Sequence, residues 1–153
     1  MSTFNDTMTL AEARNTLRQL VDDGERCPLC TQFAKIYRFG FNGAMARGLI
    51  KMYHQGGQDW VNVPELHLPG GHMLKARFWN LIEKPPELVR DDGSTRVGIW
   101  RLTDHGVEFV TNHRTILSHA RIYDNRCLGL RGEPVSIRDV LGKRFDYDEL
   151  MRG

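Results

Sequence analysis

The chain has 153 residues, of which 41% are hydrophobic and 26% are charged, as is ordinary for one globular domain. No apolar run approaches the roughly 18 residues of a membrane span, and the polar N-terminus lacks a signal-peptide pattern, so we expect a cytoplasmic protein. The net charge of +2 favours no partner, but residues 26–58 contain five Lys and Arg residues and no carboxylate. Such a stretch is typical of a surface that faces a polyanion, or of a solvated face without a partner.

A capping box predicts the first helix. Thr9 and Glu12 have the spacing in which each side chain accepts a hydrogen bond from the backbone of the other residue. Apolar residues then recur at a helical period over 10–21, and Gly24 supplies the end.

A second helix is predicted to begin at Cys27-Pro28, because proline suits the first helical position. Its apolar stripe would run over residues 29–37, and the glycines at 40 and 43 would break it. A third helix is predicted over residues 44–54, ended by Gly56-Gly57.

Shorter elements follow. Trp60-Val61 predicts a brief strand and Pro64-Glu65-Leu66 a short helix. The next helix is predicted over His72–Lys84, where Pro85-Pro86 stops it. Residues 88–90 and 96–102 are strand-like and flank Asp91–Ser94, whose Asp-Gly pair favours a hairpin turn.

The remainder of the chain is less regular. Thr103 predicts the N-cap of a helix that carries Val107 and Val110. A second hairpin is indicated at residues 124–126, between the apolar pairs 122–123 and 127–128. Ser136 and Asp139 have N-cap spacing, and residues 145–150 suggest one helical turn.

From residue 44 to residue 110 the predicted order is helix, short strand, short helix, helix, hairpin, helix. Gly98–Phe109 ends this stretch with the letters GIWRLTDHGVEF. It is similar to the W-x-L-T-x-x-G-x-x-F run that follows the hairpin in many bacterial winged-helix proteins. Residues 44–110 therefore resemble the winged helix-turn-helix family, in which the hairpin is called the wing.

The resemblance implies a mainly helical α+β fold in a single domain. Its parts would be N-terminal helices at 9–40, a winged-helix core at 44–112 and a C-terminal extension at 113–153. The implied function is binding of double-stranded DNA in transcriptional control, by a bacterium or its phage, without enzymatic activity. The first two helices would cover this core or build the interface of a homodimer.

The helix over His72–Lys84 would enter the major groove. At 100° per residue its inner side carries Leu74, Phe78 and Leu81, and its outer side carries His72, Lys75, Ala76, Trp79 and Asn80. Lys75 and Asn80 could contact bases and Arg77 a phosphate, whereas Trp79 could equally belong to the core. The resemblance assigns Arg90 and Arg96 of the wing to DNA contacts.

A protein-interaction module is the alternative function. Asp91 and Asp92 lie at the tip of the predicted wing, and phosphates would repel both carboxylates. Under this interpretation a winged-helix scaffold contacts another protein, for example when a phage protein acts on a host protein.

Cys27 and Cys30 have the spacing of half a tetrahedral zinc site, which makes structural zinc one candidate cofactor. The other ligands could be Cys127 with a histidine, or the same pair from a second subunit. Redox chemistry and two ordinary thiols at the start of a helix are the other interpretations. No Ser-His-Asp order, phosphate-binding loop or H-E-x-x-H string is present, so no catalytic residue is predicted.

Overall fold

A computed structural model describes residues 4–68, 72–86 and 98–153. The chain forms two compact units. Unit 1 comprises Met1–Phe39 and Arg121–Gly129, and unit 2 comprises Gly40–Ala120 and Leu130–Gly153. The predicted turn at 91–94, together with Arg90 and Arg96 beside it, lies outside the described residues.

Unit 1 begins with the predicted helix. Helix α1 spans Leu10–Leu20, and the reciprocal capping box of Thr9 and Glu12 is present, so this prediction is confirmed. Three short strands follow, β1 (Glu25–Arg26), β2 (Phe33–Ala34) and the first part of β3 (Tyr37–Gly40). All of α1 is described, and none of its residues is buried.

The predicted helix from Cys27 is wrong. Strands β1 and β2 pair antiparallel, with Glu25 opposite Ala34 and Arg26 opposite Phe33, and the cysteines lie in the loop between them. The spacing of apolar residues here fits a helix and a tight hairpin equally well over so short a stretch. Thr31 distinguishes the two structures, because its φ of 63° is incompatible with a helix and closes the loop of the hairpin.

Unit 2 is built around α2, which spans Gly43–Gly56 and confirms the third predicted helix. Asn42 caps it by accepting a 3.0 Å hydrogen bond from the backbone N–H of Met45. The buried residues of α2 lie in its first three turns and are Met45, Ala46, Gly48, Leu49, Ile50 and Met52. The ring of Phe41, just before the helix, packs edge-on against Trp79 and Phe109.

A three-stranded sheet lies next in the chain. Its strands are β4 (Val61–Asn62), β5 (Ile82–Glu83) and β6 (Ile99–Leu102), arranged antiparallel in the order β4-β6-β5. Val61 lies opposite Trp100, and Ile82 lies opposite Leu102. Two 3₁₀ helices, Val63–Leu66 and Met73–Trp79, connect β4 to β5.

The helix predicted over His72–Lys84 is therefore partly wrong. The second 3₁₀ helix ends at Trp79, Asn80 adopts a left-handed conformation with φ of 59°, and Ile82–Glu83 is strand β5. The predicted helical period continued past Asn80 because Leu81 and Ile82 are apolar. Both residues are buried, but Ile82 belongs to strand β5 and not to a helix.

Helix α3 spans Asp104–Val110, and Thr103 caps it as predicted. The threonine hydroxyl accepts from the N–H of Gly106 at 3.0 Å and donates to the carbonyl of Asn80 at 2.5 Å. An added Cβ at Gly106 would overlap the carbonyl oxygen of Leu81, so only glycine lets α3 approach so closely.

The C-terminal third is more regular than predicted. Strands β7 (Ile116–Tyr123) and β8 (Arg126–Val135) join β3 in the order β3-β7-β8, and each of the three strands has residues in both units. The hairpin turn predicted at 124–126 is confirmed, with positive φ at Asp124 and Asn125. Helices α4 (Ile137–Leu141) and α5 (Tyr147–Arg152) end the chain, α4 with the predicted cap at Ser136.

The expected mainly helical class is wrong. The structure is a mixed α/β fold with 40% helix and 25% strand. The two longest strands are β7 with 8 residues and β8 with 10, in the part of the chain that the structure describes. In the part of the chain that the structure describes, no helix is both long and apolar enough to cross a membrane.

Candidate nucleic-acid interface and cysteine loop

The second 3₁₀ helix turns a different side inward from the one predicted. Its buried residues are Met73, Ala76 and Trp79, which are three positions apart. A 3₁₀ helix has three residues per turn, so every third side chain lies on one side. The prediction used the α-helical period of 3.6 and was wrong to place Ala76 outside. Trp79 is core, which decides between its two interpretations.

Lys75 and Arg77 remain on the two outer rows of this helix, and both are half-buried. The guanidinium of Arg77 lies 4.4 Å from the ring centroid of Phe78 and donates through Nη1 to the carbonyl of Leu74. Burial lowers the pKa of Arg77, yet an arginine stays charged at neutral pH after such a shift. The stacked geometry holds its planar donor group in a defined direction.

Asn80 does not share the outer rows with Lys75. It is exposed at the end of the helix and lines a polar cleft of about 470 Å³ together with Glu83, Arg101 and Asp104. Arg101 forms a 2.6 Å ion pair with Glu83 across β5 and β6. Two carboxylates therefore lie near the side chain that the sequence assigned to base contacts.

Two cations on α2 were absent from the predicted site. Lys51 is exposed, and Arg47 is half-buried with its guanidinium 4.7 Å from the ring centroid of Phe145. Among the residues described here, the Nε of Arg47 is buried without a hydrogen-bond partner. The signal that could have found both is the carboxylate-free stretch 26–58, which contains the whole of α2.

Helix α2 and the second 3₁₀ helix pack directly against each other. Gly48 allows this, because an added Cβ there would lie 2.5 Å from Cγ of Met73. Residues 66–82 also contain no carboxylate. The two packed elements, named here the acid-free pair, thus carry Arg47, Lys51, Lys75 and Arg77 and no Asp or Glu.

The loop between β1 and β2 brings Cys27 and Cys30 together, and we name it the cysteine loop (residues 27–32). The N–H of Cys27 donates to the carbonyl of Gln32 at 2.8 Å, and the N–H of Thr31 donates to the carbonyl of Cys27 at 2.9 Å. Hydrogen bonds from the backbone N–H of Cys30, from that of Leu29 and from the Cys30 thiol lower the pKa of Cys27. Both cysteines are free thiols in the structure.

Cys127 is also a free thiol and hydrogen-bonds weakly to the carbonyl of Gly129 at 3.6 Å. Within the described residues no three or more His, Cys, Asp or Glu side chains are grouped as a metal site would require. The predicted pair Cys27 and Cys30 is brought together, but the predicted completion by Cys127 and a histidine is not.

Comparisons of this chain with protein-family models, with curated proteins and with solved structures found no match. Two features of the described residues offer chemistry: the cations of the acid-free pair, which can bind anions, and the adjacent thiols of the cysteine loop, which can bind a soft metal ion.

Proposed function

We propose that this chain binds double-stranded DNA through the acid-free pair of unit 2 and acts in transcriptional control. The observation that carries the proposal is the charge of two packed elements, which together contain four cations and no carboxylate. A polyanion gains most from such a surface, because binding releases the counterions condensed along the phosphates. A role on DNA would also be consistent with the expected cytoplasmic location.

Lys75 and Arg77 are the proposed phosphate contacts on the second 3₁₀ helix. Met73, Ala76 and Trp79 anchor this helix in the core, so its outer rows are held rigidly. Arg77 supports the proposal further, since a guanidinium fixed by an aromatic ring offers its planar donors to a phosphate in one orientation. Arg90 and Arg96 remain predicted contacts from the segment after β5.

Base contact by Asn80 is not part of this proposal. Glu83, Asp104 and Arg101 line its cleft, and Arg101 pairs with Glu83 alone, so the carboxylate of Asp104 would meet phosphate unfavourably at the distance of a groove contact. The proposed surface therefore explains affinity for duplex DNA, and sequence preference would have to come from other groups or from the shape of the duplex.

A fluorescence anisotropy titration with a labelled random duplex tests the proposal. We expect binding at low salt that weakens as salt rises, with the logarithm of the association constant linear in the logarithm of salt concentration. A labelled single strand of the same length should bind more weakly. Absence of duplex binding at low salt would remove this function.

Protein contact, the second candidate, is favoured by the surface of unit 1. Among the described residues of this unit, six large apolar side chains are more than one-third exposed: Leu10, Leu29, Phe33, Tyr37, Tyr123 and Leu128. Scattered apolar residues are normal on a surface, but these are dense for a unit of this size. Multi-angle light scattering of the purified chain would reveal self-association, and a strictly monomeric chain would leave only a different protein as partner.

A further inference from the structure

The cysteine loop holds two sulfur atoms ready for one metal ion. Backbone hydrogen bonds on both sides of the loop, from Cys27 to Gln32 and from Thr31 to Cys27, set its shape. The bond from Thr31 closes a turn that contains both cysteines, so Cys27 and Cys30 lie in one short loop at the two-residue spacing of a zinc-binding pair.

One copy of the chain offers only half of a closed zinc site. Structural zinc takes four ligands in a tetrahedron, from cysteine and histidine above all. Unit 1 contains no histidine in its sequence, and its third cysteine, Cys127, is not grouped with the pair in the part of the chain that the structure describes. Two more thiolates must come from elsewhere, and the cysteine loop of a second copy of the chain has two.

The surroundings of the loop favour a second copy as the occupant. Leu29, between the two cysteines, is 72% exposed, and Phe33, just after the loop, is 51% exposed. Of the described residues in unit 1, only Ala34 and Ile36 are buried. A unit of roughly 50 residues with so small a core usually needs a metal ion or a partner to be stable.

We propose that Cys27 and Cys30 of two copies of this chain bind one zinc ion and that this joint site forms the core of a homodimer interface. Zinc displaces the four thiol protons, and the resulting tetrathiolate centre carries two negative charges. Arg26, held against the loop by a 3.1 Å hydrogen bond from Nη1 to the carbonyl of Thr31, offsets part of that charge in each copy. Leu29 and Phe33 become covered in the interface. The proposal does not depend on DNA binding.

Metal analysis of the untagged, full-length chain tests the stoichiometry. We expect one zinc per two chains, a dimer by light scattering, and a monomer after removal of zinc by a strong chelator, because metal affinity and assembly are linked. Cobalt added to the metal-free chain should saturate at one ion per two chains with the strong charge-transfer bands of four sulfur ligands. This measurement needs no variant and holds even where a cysteine variant fails to fold.

Variants then assign the ligands. Cys27→Ser and Cys30→Ser should each lower the zinc content by about tenfold and give monomers. Cys127→Ser is the matched control and should keep both zinc and the dimer. One zinc per chain in a monomer, or loss of zinc in Cys127→Ser, would replace the shared site by one within a single chain. Folded, reduced protein that binds neither zinc nor cobalt would overturn the proposal.

Discussion

The indole Nε1 of Trp79 donates a 2.6 Å hydrogen bond to the backbone carbonyl of Leu117 in strand β7. Trp79 is the last residue of the second 3₁₀ helix, so this bond fixes how that helix is rotated about its axis. With Trp79 inward, Met73 and Ala76 must also be inward, and Lys75 and Arg77 are left on the outer rows. This one hydrogen bond therefore determines that Lys75 and Arg77 lie on the outer side of the helix.

Trp79→Phe should destabilise unit 2 through this bond. Phenylalanine keeps an aromatic ring beside Phe41 but leaves the carbonyl of Leu117 without its indole donor. We expect a loss of about 1–3 kcal/mol in the free energy of unfolding, measured by urea denaturation.

Trp60→Phe is the matched control for this substitution. Trp60 is 41% exposed and contacts the guanidinium of Arg101, so we expect a loss of about 0.5–1 kcal/mol at most. Equal losses in the two variants would show that the Trp79 indole N–H contributes nothing specific.

Thr103 joins α3 to the end of the second 3₁₀ helix through two hydrogen bonds of one hydroxyl group. Thr103→Ala removes both the helix cap and the donor to Asn80, and we expect the free energy of unfolding to fall by about 2–3 kcal/mol. Thermal or urea unfolding followed by circular dichroism measures this change.

Thr103→Ser retains the hydroxyl and loses only a methyl group. The serine variant should therefore lose less than about 1 kcal/mol. If serine were as damaging as alanine, packing of the methyl group rather than hydrogen bonding would explain the role of Thr103.

Local hydrogen-bonding signals were the part of the fold that the sequence predicted well. The caps at Thr9, Thr103 and Ser136 are all present, because each depends on residues only three positions apart. The sequence analysis largely missed strands β7 and β8. In β8, Gly129 and Gly132 interrupt the alternation of apolar and polar residues that predicts a strand. Tertiary pairing, rather than local preference, determines these strands.

The candidate site was predictable in composition but not in orientation. The carboxylate-free stretches and the spacing of Cys27 and Cys30 are visible in the sequence. The rotation of the second 3₁₀ helix about its axis is not visible in the sequence. Over so few residues, a period of three and a period of 3.6 residues differ by only one position. Because of that difference, Ala76 was predicted on the outer side but lies in the core.

Tyr147 predicts a pH dependence of stability. Its hydroxyl donates to the carbonyl of Val110 at 2.6 Å, and burial raises its pKa above the usual value of about 10. The phenol stays neutral to a higher pH in the folded chain than in the unfolded chain. Its stabilisation is therefore complete below the unfolded pKa and is lost as pH rises through the folded pKa. Urea denaturation between about pH 8 and about pH 11 measures that loss.

Tyr147→Phe separates this residue from the other tyrosines. The variant should be less stable by about 1 kcal/mol at neutral pH because the hydrogen bond is lost, yet its stability should fall less steeply in the alkaline range. Identical alkaline slopes for the variant and the parent chain would mean that the phenol of Tyr147 ionises alike in both states.

Lys75 and Arg77 predict how DNA binding depends on salt. Lys75→Gln and Arg77→Gln each remove one proposed phosphate contact, so each should lower the slope of log affinity against log salt by about 0.9. Affinity should fall by a similar factor for every duplex sequence, because phosphates carry no sequence information. Anisotropy titrations at several salt concentrations, with two unrelated duplexes, measure both effects.

Arg126→Gln and Arg131→Gln are the matched controls for charge. Both residues are exposed in strand β8, outside the acid-free pair, so each variant loses one cation and keeps the four cations of the pair. Their slopes should equal that of the parent chain, and circular dichroism should show that all four variants are folded. Equal reductions in all four slopes would mean that DNA responds to net charge alone. Unchanged slopes for Lys75→Gln and Arg77→Gln would place the DNA contacts on another surface, because counterion release counts only the cations that lie against phosphates.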